Sequence, residues 1–192
     1  MTLIALTKGR IENNFYKLLN INSDFGTRKL YLDINNYRLL IVKSIDVLEL
    51  VDKKIVDIGI VGSDTINEYK KDNIEELLDL KTGICNFSLA TLPNTSIENI
   101  NVVATKYPNT TKRLLNSIGI NPNIVVMNGS LELAPIINYA DAIVDLVETG
   151  NTLKENGLVN MKQLENVSTR IITNKDNKNN DNVKKLIKRL ER

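Results

Sequence analysis

AIVDLVETGNTL, residues 142–153, decides how this chain is read. Ala142-Ile143-Val144 is a short apolar run of the kind a buried strand needs. It leaves through Asp145 and reaches Thr149-Gly150-Asn151-Thr152, a small, hydroxyl-rich turn with one glycine. A buried strand that opens through such a turn into a short helix is a building unit of α/β folds. The turn itself fits two readings. The glycine allows close backbone approach, a helix start presents N–H groups without intrahelical partners, and the threonines add donors, which together can hold a phosphate monoester. It fits equally well an ordinary corner with a capped helix.

Outward from this stretch, apolar runs alternate with helical patterns along most of the chain. Leu3 to Leu6 reads as a strand, followed by Ile11, Phe15, Leu18 and Leu19 on one helical face. Two strands, 29–33 and 38–42, flank Asn35-Asn36. A helix through Ile45, Leu48 and Val51 leads to a strand at 55–61, and Asp64 can cap a short helix through Tyr69. After an extended stretch at 83–92, a second series runs strand 101–105, helix 110–117, strand 124–127, helix 130–138 and strand 142–147. A late strand, 169–173, precedes the Asn-rich tract 174–182, which reads as a mobile loop, and an amphipathic helix through Val183, Leu186, Ile187 and Leu190. Strand and crossover helix repeated imply largely parallel sheets covered on both faces. The two series predict two lobes, residues 1–88 plus 167–192 and residues 89–166. Ligands in such folds bind at carboxyl ends of strands, which places the active site in the interlobe cleft.

Composition narrows the chemistry. Lys+Arg 25 against Asp+Glu 23 leaves a net charge of +2, so no global field favours nucleic acid and phosphate binding must be local. The basic residues of the last helix read as a solvated face. The single cysteine, Cys85, allows no internal disulfide and fits a reducing cytoplasm. No run approaches the ~20 apolar residues of a membrane span, and the first ten residues lack the charge order of a secretory signal. Histidine is absent, which removes His-dependent nucleophilic mechanisms and His-ligated metals. Carboxylates, lysines, arginines, hydroxyls and backbone amides remain. Asp145, four residues before Thr149, can accept from sugar hydroxyls, so a phosphate at the turn and a diol at Asp145 would together describe a ribose 5-phosphate holder.

D-x-x-x-T-G-x-T resembles the motif of enzymes that bind phosphoribosyl pyrophosphate. NGSLELAPIINYADAIVDLVETGNTLKENGL at 128–158, LTKGRI at 6–11, VDIGIVGSDTI at 56–66 and VATKYPNTTKRLL at 103–115 are similar, in order and spacing, to the ATP phosphoribosyltransferase family. The resemblance implies an α/β fold of two lobes like those of type II periplasmic binding proteins, with parallel or mixed sheets flanked by helices. It implies transfer of a phosphoribosyl group to N1 of the adenine of ATP with release of pyrophosphate, the first step of histidine biosynthesis, assisted by Mg2+. By the same resemblance, Lys8, Arg28 and Lys43 are the catalytic candidates near the pyrophosphate. Asp145, Glu148, Thr149, Gly150, Asn151 and Thr152 would hold phosphoribosyl pyrophosphate, while Arg10, Tyr107 and Glu132 would serve ATP.

Three positions depart from the family pattern. Lys43 and Asn86 stand where arginine is usual, and Asn138 replaces a glycine, which matters if the backbone there needs φ > 0. The late strand is followed only by the Asn-rich tract and one helix, whereas longer members continue into a histidine-binding domain. The resemblance therefore points to the short form, a cytoplasmic enzyme that self-dimerises and pairs with a regulatory subunit resembling histidyl-tRNA synthetase. Two alternatives stand beside it: a two-lobed module that only captures a small ligand, and another phosphoribosyltransferase. The latter usually carries two adjacent acids before the turn, where this chain has Val144-Asp145.

Overall fold

The computed structural model describes residues 1–20 and 29–191. Arg28 lies outside them. In chain order the elements begin with β1 (Thr2–Thr7), α1 (Arg10–Leu18), β2 (Tyr31–Ile34), β3 (Tyr37–Val42), α2 (Ser44–Asp52), β4 (Ile58–Gly62), α3 (Ser63–Glu68) and β5 (Ile74–Asp79). They continue with β6 (Cys85–Thr91), β7 (Val102–Thr105), α4 (Pro108–Ser117), β8 (Asn123–Val126), α5 (Leu133–Ile136), β9 (Ala142–Val147), α6 (Asn151–Glu155) and β10 (Val159–Val167). The chain ends with β11 (Thr169–Asn174) and α7 (Asp181–Leu190).

Two compact units result: Met1–Gly83 with Ser168–Arg192, and Ile84–Val167. The first division falls ahead of β6 rather than at 88/89, so that strand stays whole in the second unit. In the first unit the sheet runs β2-β3-β1-β4-β11-β5. Its centre, β3-β1-β4, is parallel, while β2, β11 and β5 join antiparallel. One face buries Ile4, Leu6, Leu39, Ile58 and Ile60 with Phe15 of α1 and Val183 and Leu186 of α7. The other buries Ala5, Val61 and Ile172 under Val47, Leu48 and Val51 of α2. A strand covered on both faces reads as a continuous apolar run, which is how Leu3 to Leu6 and Ile58 to Val61 look in the sequence.

The second unit's sheet runs β10-β6-β9-β7-β8. β9-β7-β8 are parallel; β6 and β10 are antiparallel. Phe87, Leu89 and Val144 pack with Leu114 and Leu115 of α4, and Ile143 packs with Leu131, Ala134 and Leu153 on the other side. Both sheets are therefore mixed, with parallel centres and antiparallel flanks.

Three local expectations need correction. The helix expected over 130–138 is confined to Leu133–Ile136, because Ser130 (φ 48°) and Asn138 (φ 56°) are left-handed at its two ends. Asparagine tolerates that conformation better than other non-glycine residues, so Asn138 can meet the φ > 0 expected at this position. Strands β5 and β10 were not foreseen at all. Finally, the Asn-rich tract is built in rather than loose. Asn174 donates to the carbonyls of Val51 (3.4 Å) and Asp52 (3.0 Å) and accepts from the Asp176 N–H, while Asn180 caps α7 through the Asn182 N–H at 2.9 Å.

Candidate functional site

In the first unit two parallel strand ends lie side by side. Thr7 of β1 is paired with Val42 of β3, and the Lys8 N–H continues the ladder to the Val42 carbonyl at 3.3 Å. Lys8 and Lys43 therefore leave neighbouring parallel strands at the same sheet edge, both exposed, just before α1 and α2. The intervening Gly9 adopts φ 97°, ψ −126°, a region open essentially to glycine alone, and its N–H is capped by Glu12 Oε2 at 3.0 Å. Arg10 opens α1 and donates to the Gly83 carbonyl at 3.4 Å. The structure thus brings Lys8 and Lys43 together, with Arg10 two residues along.

In the second unit, β9 delivers Asp145 and the turn that follows it. Gly150 is left-handed (φ 77°, ψ 4°), which lets the chain fold from the strand end directly into α6. The Asn151 N–H reaches back to Thr149 Oγ1 at 3.5 Å, and the first backbone bond across the turn is Lys154 N–H to the Gly150 carbonyl at 3.1 Å. N–H groups at the start of α6 therefore have no partner within the helix. Glu132, Asp145, Glu148, Thr149, Gly150, Asn151 and Thr152 line one cavity of ≈ 340 Å³, floored by the buried Leu153. That volume lies within the usual range for small-ligand sites. All six residues proposed for phosphoribosyl pyrophosphate, and Glu132 besides, share this one wall.

Asp145 is largely buried, its side chain 19% exposed. Burial pushes its carboxyl above the usual aspartate range; the Lys106 ammonium and the Leu146 N–H oppose this, and the nearby Glu132 reinforces it. Lys106 Nζ lies 3.6 Å from Asp145 Oδ1, and the Leu146 N–H donates to the same oxygen at 2.8 Å. The sequence places Tyr107 of VATKYPNTTKRLL in the ATP set and assigns no role to its neighbour Lys106. The pairing depends on β7 lying beside β9 in the sheet, with Thr105 opposite Val144.

One hydroxyl holds that corner. Thr105 Oγ1, fully buried, donates to the Val144 carbonyl at 2.7 Å and accepts from the Tyr107 N–H and the Thr111 hydroxyl, both at 3.0 Å. Tyr107 stands edge-on to Phe87, ring centroids 5.0 Å apart at 84°, so much of its ring is committed to the core. It is half-buried and lies off the cavity wall. Asn86, where the family has arginine, accepts from Gln163 Nε2 at 2.7 Å on the antiparallel side of the sheet. Among the described residues no group of three or more acidic or cysteine side chains is arranged to cage a metal ion. Nor is any helix there long and apolar enough to cross a membrane.

Comparison with known proteins places the chain in a family. The family model described as ATP phosphoribosyltransferase (HisG) matches residues 43–192. An ATP phosphoribosyltransferase of Clostridium novyi is 45% identical over 185 residues, covering 90% of this chain and 87% of that protein. The ATP phosphoribosyl transferase (HisG:HisZ) complex from Thermotoga maritima contains a chain that superposes with a TM-score of 0.83 at 28% identity, covering 100% of this chain and 97% of that one. The periplasmic aliphatic sulphonate binding protein SsuA from Escherichia coli shares the fold alone, with a TM-score of 0.64 at 11% identity over 98% of this chain and 70% of that one.

Proposed function

The chain belongs to the ATP phosphoribosyltransferase family, and on that premise we propose how its residues divide the work. The reaction joins N1 of the adenine of ATP to the anomeric carbon of phosphoribosyl pyrophosphate and breaks the bond from that carbon to pyrophosphate. Phosphoribosyl-ATP and pyrophosphate are the products, in the first step of histidine biosynthesis. The observation that carries the assignment is the cavity with the Thr149–Thr152 turn along its wall and Asp145 beside it.

In this reading the 5-phosphate sits against the Thr149 and Thr152 hydroxyls and the N–H groups that open α6, beside Gly150, whose lack of a side chain admits it. Glu148 and Asn151 complete that wall. The Asp145 carboxylate accepts from the ribose hydroxyls, a charge-assisted contact that also orients the sugar for attack. As the bond to pyrophosphate breaks, positive charge grows on the sugar ring and negative charge on the leaving group. Lys8 and Lys43 supply the countercharge to the pyrophosphate, with Arg28 as a third cation for the same group. Arg10, Tyr107 and Glu132 serve the nucleotide, Tyr107 through whatever ring face its contact with Phe87 leaves open.

Magnesium suits a site where the described residues form no protein cage. It keeps several waters, takes one or two carboxylates, and otherwise binds substrate oxygens. Glu148 could supply such a carboxylate, and the ion, carried on the pyrophosphate, would neutralise part of its charge. We further propose a cytoplasmic enzyme that self-dimerises and works with a regulatory chain; the similar Thermotoga maritima protein is part of a HisG:HisZ complex. Incubating the chain with ATP, phosphoribosyl pyrophosphate and Mg2+ should release pyrophosphate and form phosphoribosyl-ATP. Release that ignores ATP, or none in the presence of the partner, would remove the assignment. Histidine should inhibit only when the regulatory chain is present, and saturable inhibition of the isolated chain would refute that division of labour.

A further inference from the structure

Asp145 sits among unlike neighbours. From the turn after its own strand, Glu148 lines the same cavity; from the segment before α5 comes Glu132; from β6 the facing residue is the neutral Ser88; and from the turn after β7 comes Lys106. Among the described residues Lys106 is the cation within ion-pair distance of this carboxylate. A largely buried carboxylate with another acid nearby is driven towards its neutral form, and a neutral acid cannot accept two hydroxyls as a carboxylate does. The Lys106 ammonium and the Leu146 N–H both fall on Oδ1, which leaves Oδ2 for a ligand. The backbone that carries Lys106 is tied to β9 through the Thr105 hydroxyl, which donates to the Val144 carbonyl and accepts from the Tyr107 N–H on the far side of Lys106.

We propose that Lys106 is a positioning residue for phosphoribosyl transfer: its ammonium holds the Asp145 carboxylate charged and oriented to meet the ribose hydroxyls. The proposal rests on the assignment of Asp145 to the ribose. Lys106 does not touch the reacting atoms; it acts through Asp145. Its side chain is 39% exposed, so substitution there leaves the core intact.

The test is the pH profile of kcat/KM for phosphoribosyl pyrophosphate in Lys106→Met and Lys106→Arg, with Asp145→Asn as reference. Without the ammonium, the carboxylate takes up a proton at higher pH, so activity that needs the anion fails earlier as pH falls. Lys106→Met should lose roughly tenfold at the acid end and approach wild type at the alkaline end, while the KM for ATP stays put. Lys106→Arg keeps the charge and should restore the acid limb. A loss equal at every pH would make Lys106 a direct ligand contact and overturn the proposal, as would no loss at all. If Asp145→Asn itself behaves as wild type, the ribose assignment falls and the proposal with it. An impaired Asp145→Asn beside an unmoved acid limb in Lys106→Met sinks the proposal alone.

Discussion

Replacing Thr105 by valine should be costly out of proportion to its size. The two side chains have nearly the same shape, so no cavity opens and the fully buried site stays filled. What disappears is one hydroxyl with three partners: the Val144 carbonyl at 2.7 Å, the Tyr107 N–H at 3.0 Å and the Thr111 hydroxyl at 3.0 Å. Each bond contributes about 1 kcal/mol net, and a buried group left without its partner costs about 1–3 kcal/mol more. Since the three are not additive, a total of roughly 3 kcal/mol is the reasonable figure. With a urea slope of about 2 kcal/mol/M, the midpoint should drop by roughly 1.5 M. Thr111→Val removes only one of the three bonds and should cost about 1 kcal/mol. Activity should fall as well, because the same hydroxyl fixes the Lys106-Tyr107 turn against β9. Equilibrium unfolding of both variants decides the matter. A Thr105→Val protein within ~0.5 kcal/mol of wild type, or a Thr111→Val protein equally damaged, would refute the reasoning from this hydroxyl.

Asp145→Asn and Thr149→Val should each lower kcat/KM for phosphoribosyl pyrophosphate roughly tenfold to a hundredfold while sparing ATP binding, since one charge-assisted or hydroxyl contact is lost; steady-state kinetics with each substrate varied would show it. Gly59→Ala should destabilise by about 1–3 kcal/mol, because the added Cβ would meet Ile172 Cγ1, Val47 Cγ1 and Val51 Cγ2 each at 2.8 Å. A thermal melt equal to wild type would show that α2 yields more easily than its packing implies. Asp79 tests the acid side. Burial alone would raise its carboxyl, yet the Lys81 ammonium and N–H, the Ser168 hydroxyl and Arg170 outweigh this and hold it at about 2, below the ordinary 3.8. A depressed carboxylate stabilises the fold above its ordinary pKa and loses that contribution as pH falls from about 4 towards 2, here about 1–2 kcal/mol. Asp79→Asn should flatten stability across that window, and an unchanged acid limb of unfolding would count against the pairing.

Much of this molecule was legible in one dimension because its signals are local. The apolar runs 3–6, 58–61 and 142–144 are strands buried on both faces, and their continuity survives any change in neighbours. The Thr149–Thr152 turn announces itself by composition, and residues adjacent in sequence there line one cavity in space. The two missed strands failed for physical reasons. β5, half-buried with three acids, has no clean alternation. β10 lies at a sheet edge with irregularities at Asn160/Lys162 and Gln163/Glu165, each of which breaks the two-residue period. The Asn-rich tract misled because asparagine reads as loop in sequence, whether or not its amide finds partners 122 residues away in α2. Sheet order belongs to tertiary structure alone, since it depends on which strands bury one another's faces rather than on any pattern within a strand. That order sets Lys8 beside Lys43, across 35 residues, and Lys106 beside Asp145, across 39. The sequence by itself marked the turn proposed here for the phosphoribosyl group; the folding of β7 against β9 decided that Lys106 stands next to its Asp145.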